Sequence, residues 1–334
     1  MYPSQLCSVS IDVDTLRFYR DIHGLPPEPL GEDPIYSHAM PRILRFLREM
    51  GIRATFFLIG EDTTIPAHQD ILHQLIEEGH EIANHTFRHP YTLTTLSPSK
   101  MEEEVALAEE HLAPFLACGQ KIYGFRSPGY NTSPELIEIL RRRGYRYDSS
   151  VFPSVPYYLA KAAIMTWQKL LQRQSRAHLG PFHVLRAPSH PYPMGDHPYR
   201  RGPAHATLWQ LPIATLPLVQ WPFIGTSILL TPAPLLMPIT ILATQTYPFL
   251  NLELHAIDFF DGHNDPNASP LLAHQPDLRI SISRKLSRFR QVFKWIRRSH
   301  NFLPLCDALP FLQNPSTASI QAEETQTHIP SDVV

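Results

Sequence analysis

The sequence predicts an α/β fold built on parallel strands, and three observations lead there. Strand-like and helix-like segments alternate from the start of the chain to about Ser150, the pattern of parallel strands joined by crossover helices. Gly51, Gly79 and Gly144 each follow an apolar-periodic run, as helix-closing glycines do. Polar residues capable of chemistry fall repeatedly at the carboxyl end of a predicted strand, where barrels and open sheets carry their sites. At 334 residues with 43% hydrophobic content, the chain can bury one barrel-sized core.

The elements follow in order. A strand over 7–13 ends in SIDVDT, and alternation places Asp12 and Asp14 on one face of it. A helix over 37–50 ends at Gly51, and a strand over 53–59 follows. Ile71, Leu72, Leu75 and Ile76 form the apolar stripe of a helix closed by Gly79, after which a strand over 80–84 delivers His85. Ser99 and Glu102 match a capping box that opens an acidic helix. A strand over 121–125 delivers Arg126, Ser133 and Pro134 open a helix that runs to Gly144, and a strand over 145–147 delivers Asp148.

The middle of the chain has a different character. Residues 202–252 contain no Asp, Glu, Lys or Arg, yet prolines interrupt the run before it reaches the ~20 residues of a membrane span. Two readings stand open: buried strands over 208–213 and 249–254 with apolar connections, or an apolar loop surface that meets a lipid interface. Residues 279–298 carry eight cations and no acid, with Leu286, Phe289, Val292, Phe293 and Ile296 at helical spacing. That is an amphipathic basic helix, either the last helix of the fold with a solvated basic face or a membrane-surface helix.

Composition narrows the partners and the compartment. Lys and Arg number 29 against 31 Asp and Glu, a net charge of about −2, so the chain as a whole has no electrostatic footprint for nucleic acid. Cys7, Cys118 and Cys306 form no CxxC pair and suggest no disulfide framework. The first residues hold no basic segment followed by an apolar run, so no secretory signal is expected. The expected place is the cytoplasm, with association at the cytoplasmic face of the membrane as the alternative. Nothing in the sequence encodes an oligomeric state.

The chemistry centres on Asp12, Asp14, His85 and His89. Histidines four apart can converge on one cation, and one carboxylate with two imidazoles leaves a position open for water or substrate. Asp14, His85 and His89 are the candidate ligands. Zinc suits such a set first, and iron, cobalt or nickel suit it too. The plain alternatives are a chance HxxxH among 18 histidines and turn chemistry for the aspartates.

In order, the segments SIDVDT, RATFFLIG, HEIANHTFRH, FRSPGY, YDSS and LELH resemble the polysaccharide deacetylase family, carbohydrate esterase family four. The resemblance covers residues 6–150 and a patch from about 208 to 313. It implies a distorted (β/α)7-type barrel in a single domain over 1–313; the length of the insertion over 151–250 points to a part in substrate specificity, and the polar composition of 314–334 to a disordered tail. By similarity, Asp12 is the general base, Asp14, His85 and His89 hold the divalent metal, and Arg126 pairs with Asp12 and orients it. His255 is the general acid; Asp148 either supports the catalytic histidine or caps a helix or turn, and the backbone amide of Tyr130 resembles the oxyanion donor, with turn geometry as the competing reason for Pro128 and Gly129. The implied substrate is an N-acylated amino sugar.

The DVDT form of the first motif, in which Val13 separates the aspartates, is similar to peptidoglycan-deacetylase-like and cyclic-amide-hydrolysing branches. DVDTLR is also similar to deformylases of lipid-linked sugars. Three activities follow as expectations: removal of an acetyl or formyl group from a glycan or lipid-linked saccharide, hydrolysis of a small cyclic amide or ureide, and catalytically silent glycan binding. The segment Arg186, Ala187, Pro188, Ser189, His190 is expected near the cleft.

Overall fold

The computed structural model describes residues 5–116, 120–170 and 178–314, apart from the side chains of 167–169. Cys118 and nearly all of the expected tail lie outside the described residues. Nine strands form one sheet: β1 (Gln5–Asp12), β2 (Thr55–Leu58), β3 (Glu81–Asn84), β4 (Gly124–Phe125), β5 (Tyr147–Asp148), β6 (Tyr192–Pro193), β7 (Trp209–Gln210), β8 (Phe249–His255) and β9 (His300–Phe302). Their order is β6-β7-β5-β4-β3-β2-β1-β8, with β9 also beside β1. Every pair is parallel except β6 with β7.

The sheet curls. Just past β7, the Ala214 amide donates to the Asn251 carbonyl of β8 at 3.0 Å, so the two ends of the parallel run meet. The side chain of Asn251 ties the same seam by donating to the Leu211 carbonyl and to Ser149 Oγ. This is the expected distorted (β/α)7-type barrel, and β6 is an added antiparallel edge.

Alternation along β1 explains its placement. Val9, Ile11 and Val13 are fully buried in the main apolar core, together with Ile43, Leu44, Leu47, Val292 and Ile296 from the surrounding helices. Ser8, Ser10 and Asp12 sit on the other face, opposite Asn251, Glu253 and His255 of β8. The barrel interior is therefore polar near its carboxyl end. A separate apolar cluster of Leu6, Phe57, Tyr147, Trp209 and Phe249 meets Leu305, Ala308 and Leu309 of the terminal helix, which plugs the other end.

Several expected elements differ in detail. The helix Leu16–His23 was not anticipated, because the N-cap Thr15 makes no side-chain cap bond and the run is only two turns long. The acidic helix spans Pro98–Leu112 with Ser97, not Ser99, as its cap, since Ser97 accepts from the Lys100 amide. Ser133 caps the helix Pro134–Arg142 as expected, accepting from the Leu136 amide. The expected strand over 208–213 shrinks to the two residues of β7, and the apolar connection after it folds into the helices Gly225–Leu230 and Ala233–Thr246.

Prolines do not prevent the second of those helices. Pro234 sits in the first turn, where an amide proton has no intrahelical partner anyway, and only Pro238 lies inside. The basic segment forms the helix Ile282–Ile296. Much of its charge is engaged within the molecule: Lys285 is fully buried against the carbonyls of Ile257 and Phe260, Arg290 pairs with Glu49, and Arg297 binds the Met50 carbonyl. Among the described residues, no helix is long and apolar enough to cross a membrane.

Candidate active site

The carboxyl ends of β1, β3, β4 and β8 converge. Asp12 ends β1 and Asp14 lies two residues on, His85 follows β3, Arg126 follows β4, and His255 ends β8. The loop from His85 to His89 is bent tightly, with Thr86 at φ 68° and His89 at φ 56°, a left-handed conformation uncommon for residues other than glycine. It is held by the Asn84 side chain, which accepts from the Thr86 amide, and by Thr86 Oγ1, which accepts from the His89 amide. Glu104 secures the outside of the loop by accepting from both the amide and the guanidinium of Arg88. Backbone strain held this firmly is a mark of a functional loop.

Asp14, His85 and His89 come together with the separations an ion requires. Asp14 Oδ1 lies 3.4 Å from His85 Nε2 and 3.3 Å from His89 Nε2, and the two Nε2 atoms are 3.2 Å apart. Ligands bonded at 2.0–2.1 Å to a tetrahedral cation stand about 3.3 Å from one another. All three side chains are buried, and Asp14 Oδ1 has no hydrogen-bond partner, a cost that an ion removes. His85 Nδ1 donates to the Arg126 carbonyl at 2.7 Å, which leaves the Nε2 lone pair facing the cluster. Burial pushes the Asp14 carboxyl up, but His89 and His85 together take it well below the ordinary carboxylate value. The residues fit a divalent cation.

Beside that cluster stands a second carboxylate. Asp12 Oδ2 lies 3.9 Å from His85 Nε2, and its Oδ1 accepts from Arg126 at 2.5 Å. Arg126 is fully buried and is braced by the Ser149 carbonyl, Ser10 Oγ and Ser149 Oγ, with its guanidinium 4.1 Å above the Phe57 ring. Burial alone would lower the Arg126 pKa, but Asp12 and Glu253 more than offset it. The serines of β1 and of the YDSS segment thus form a cradle that holds one cation against one carboxylate.

On the other side stands His255. Its Nδ1 lies 2.7 Å from Glu253 Oε1 and its Nε2 4.0 Å from Asp14 Oδ2. Burial disfavours the imidazolium, yet Glu253, with Asp12 and Asp14 behind it, raises His255 well above the ordinary histidine value. The backbone of the turn is fixed as well: Asp258 accepts from the His255 amide at 2.9 Å. A Cβ on Gly225 would lie 1.9 Å from Asp258 Oδ2, so only glycine lets that helix approach so closely.

Two expectations are corrected here. Asp148 is not the support of His255, because its carboxylate accepts from Ser150 Oγ and Gln210 Nε2 and ties β5 to β7. Burial pushes that carboxyl up to about 6. Glu253 occupies the supporting place, a residue sequence reasoning passed over although LELH puts Glu253 and His255 on one strand face. The Tyr130 amide is not directed at the cleft, because it donates to the Ser127 carbonyl within a turn. Its hydroxyl is the group that reaches the site, 3.1 Å from Glu253 Oε1 and 3.2 Å from His255 Nε2.

Within residues 186–190, Ala187 shares a buried apolar cluster with Val151, Val184 and Tyr199, just past β5. His190 packs on the ring of Tyr247. A cavity of about 470 Å³ lined by Arg53, His80, Tyr123 and Arg146 lies toward the amino ends of the strands, away from the converging side chains.

Residues 32–147 match the family model of polysaccharide deacetylases. The chain is 29% identical over 116 residues to a peptidoglycan-N-acetylglucosamine deacetylase of Bacillus cereus, covering 35% of this chain and 50% of that protein. It is 34% identical over 107 residues to a chitooligosaccharide deacetylase of Bradyrhizobium, covering 32% and 47%. The chain thus spans about half the length of the curated relatives it matches. A crystal structure from Mycobacterium smegmatis, assigned to the polysaccharide deacetylases, superposes with a TM-score of 0.55 at 13% identity, covering 99% of this chain and 94% of that one. That likeness is one of fold.

Proposed function

We propose, from the match of residues 32–147 to the polysaccharide deacetylase family model and the similarity to two curated deacetylases, that the chain is a metal-dependent amide hydrolase that removes an acetyl or formyl group from an amino sugar. The observation that carries the reading is the set of three buried donor atoms 3.2–3.4 Å apart, flanked by an arginine-held carboxylate and a glutamate-held imidazole. Asp14, His85 and His89 would hold the ion, zinc first among those the donor set suits. Such an ion supplies Lewis acidity at the reacting carbonyl and at water.

The side chains supply the proton transfers. The Asp12 carboxylate, fixed by Arg126, takes a proton from the attacking water. His255, charged and oriented by Glu253, gives a proton to the departing amine, which leaves as the free amino sugar while the acyl group leaves as a short carboxylate. The Tyr130 hydroxyl donates to Glu253 and lies against His255 Nε2, so it helps to hold the Glu253–His255 pair in place. Residues 151–250 contribute Tyr157, whose ring meets that of Tyr130, which supports their expected part in substrate choice. A lipid-linked sugar has its support in the uncharged surface beside Tyr157.

The test is an amine-release assay on N-acetyl and N-formyl amino sugars, free and polyprenyl-linked, before and after chelation. The expected result is release that chelation abolishes and zinc restores. Absence of release from all four substrates by metal-loaded protein would overturn the proposal.

A further inference from the structure

The uncharged stretch 202–252 is buried only in part: Leu208, Leu211, Ile213, Leu250 and Leu252 lie in the core, while other apolar side chains of the stretch face outward. Apart from Leu30 and Phe182, every large apolar side chain exposed among the described residues lies either in that stretch or on the helix Val155–Leu170. At its centre is a hairpin closed by the bridge between Thr215 and Pro222 and by the Leu216 amide donating to the Trp221 carbonyl. Its tip presents Leu218, fully exposed, together with Val219 and Trp221. Leu218 also has a φ of 70°, a conformation that is costly for a bulky residue. No internal packing compensates for that cost.

Two features identify the covering surface. The face offers few side-chain hydrogen-bonding groups, whereas protein interfaces carry roughly one hydrogen bond per 100–200 Å²; a hydrocarbon boundary requires none. At its edge is positive charge without counter-charge. Arg288 donates to the carbonyls of Ile228, Leu229 and Thr231, next to exposed Leu230. Exposed Arg284 lies one turn earlier on the same helix, and neither 202–252 nor 279–298 contains an acid.

We propose that this face seats the protein on an anionic phospholipid bilayer, with the hairpin tip entering the boundary between headgroups and acyl chains and the arginines meeting phosphate. A groove of about 640 Å³, lined in part by Tyr157, Leu216, Trp221, Leu230 and Leu235, opens on the same face. Tyr157 touches Tyr130, so seating on the bilayer brings the candidate active site to within one aromatic layer of the lipid. The inference does not depend on the proposed hydrolysis.

The test is co-sedimentation of the full chain with vesicles of phosphatidylcholine alone and mixed with phosphatidylglycerol. The expected result is binding that is stronger on the mixed vesicles and weakens with salt. Leu218→Asp should lower partitioning by about tenfold or more at an unchanged melting temperature, since Leu218 is fully exposed and Asp accepts a left-handed backbone. Arg284→Gln should remove part of the preference for anionic lipid. Absence of wild-type binding to both vesicles, or full binding by the tip variant, would overturn the proposal. So would a concentration-dependent dimer in scattering that the tip variant abolishes, because a second copy would then cover the face.

Discussion

Asp12→Asn lowers kcat by about 10²- to 10⁴-fold, the range that a positioned general base contributes, while KM and metal content stay near wild type. The asparagine side chain keeps the shape and still offers an oxygen to Arg126, which is otherwise braced by Ser10 and Ser149, so the fold is retained. The lost function is proton acceptance. Steady-state kinetics on the amine-release assay, with elemental analysis of the same samples, checks this outcome. Turnover within about threefold of wild type with metal bound would remove Asp12 from the role of base.

Glu253→Gln has the second largest effect, and its signature is a pH profile. Burial opposes the charged form of His255, and Glu253 is the main group that raises it well above the ordinary value. A histidine that must donate a proton is active below its pKa, so activity falls as pH rises through that pKa. Without the Glu253 charge the imidazolium is less stable, and the basic limb moves to lower pH. Loss of the orienting contact to Nδ1 should also lower kcat by on the order of 10²-fold. A profile of kcat against pH for both proteins checks the sign. A basic limb at its wild-type position would separate Glu253 from the titration and leave it a packing role.

The sequence made the first half of this site legible because β1, β3 and their following turns bring their side chains together within short, regular segments. Two aspartates on one strand face and two histidines in one loop need no knowledge of the rest of the fold. The contribution of Glu253 does depend on the rest, since its partners are a tyrosine 123 residues earlier and a register that sets Ser10 against Glu253. The role given to Asp148 failed for a related reason: β5 pairs with β7 directly, so Gln210, rather than a histidine, is its neighbour.

The middle of the chain was harder to read on physical grounds. The helix Ala233–Thr246 is apolar nearly all round and punctuated by prolines, so neither a period of 3.6 nor a period of 2 stands out from it. The strands β4, β5 and β7 keep only two residues each in the ladder. Sequence patterns mark where such strands deliver a side chain better than how long they are.

Whether Asp14, His85 and His89 hold a catalytic ion is decided by the metal content of wild type and His85→Ala, measured by elemental analysis with amine release from the same samples. About one divalent ion per wild-type chain is expected, with loss of both ion and activity in a variant that keeps the wild-type circular dichroism spectrum. A wild-type chain that takes up no metal, or a His85→Ala variant that retains ion and turnover, would contradict that assignment; the first result would favour a glycan-binding protein on a hydrolase scaffold.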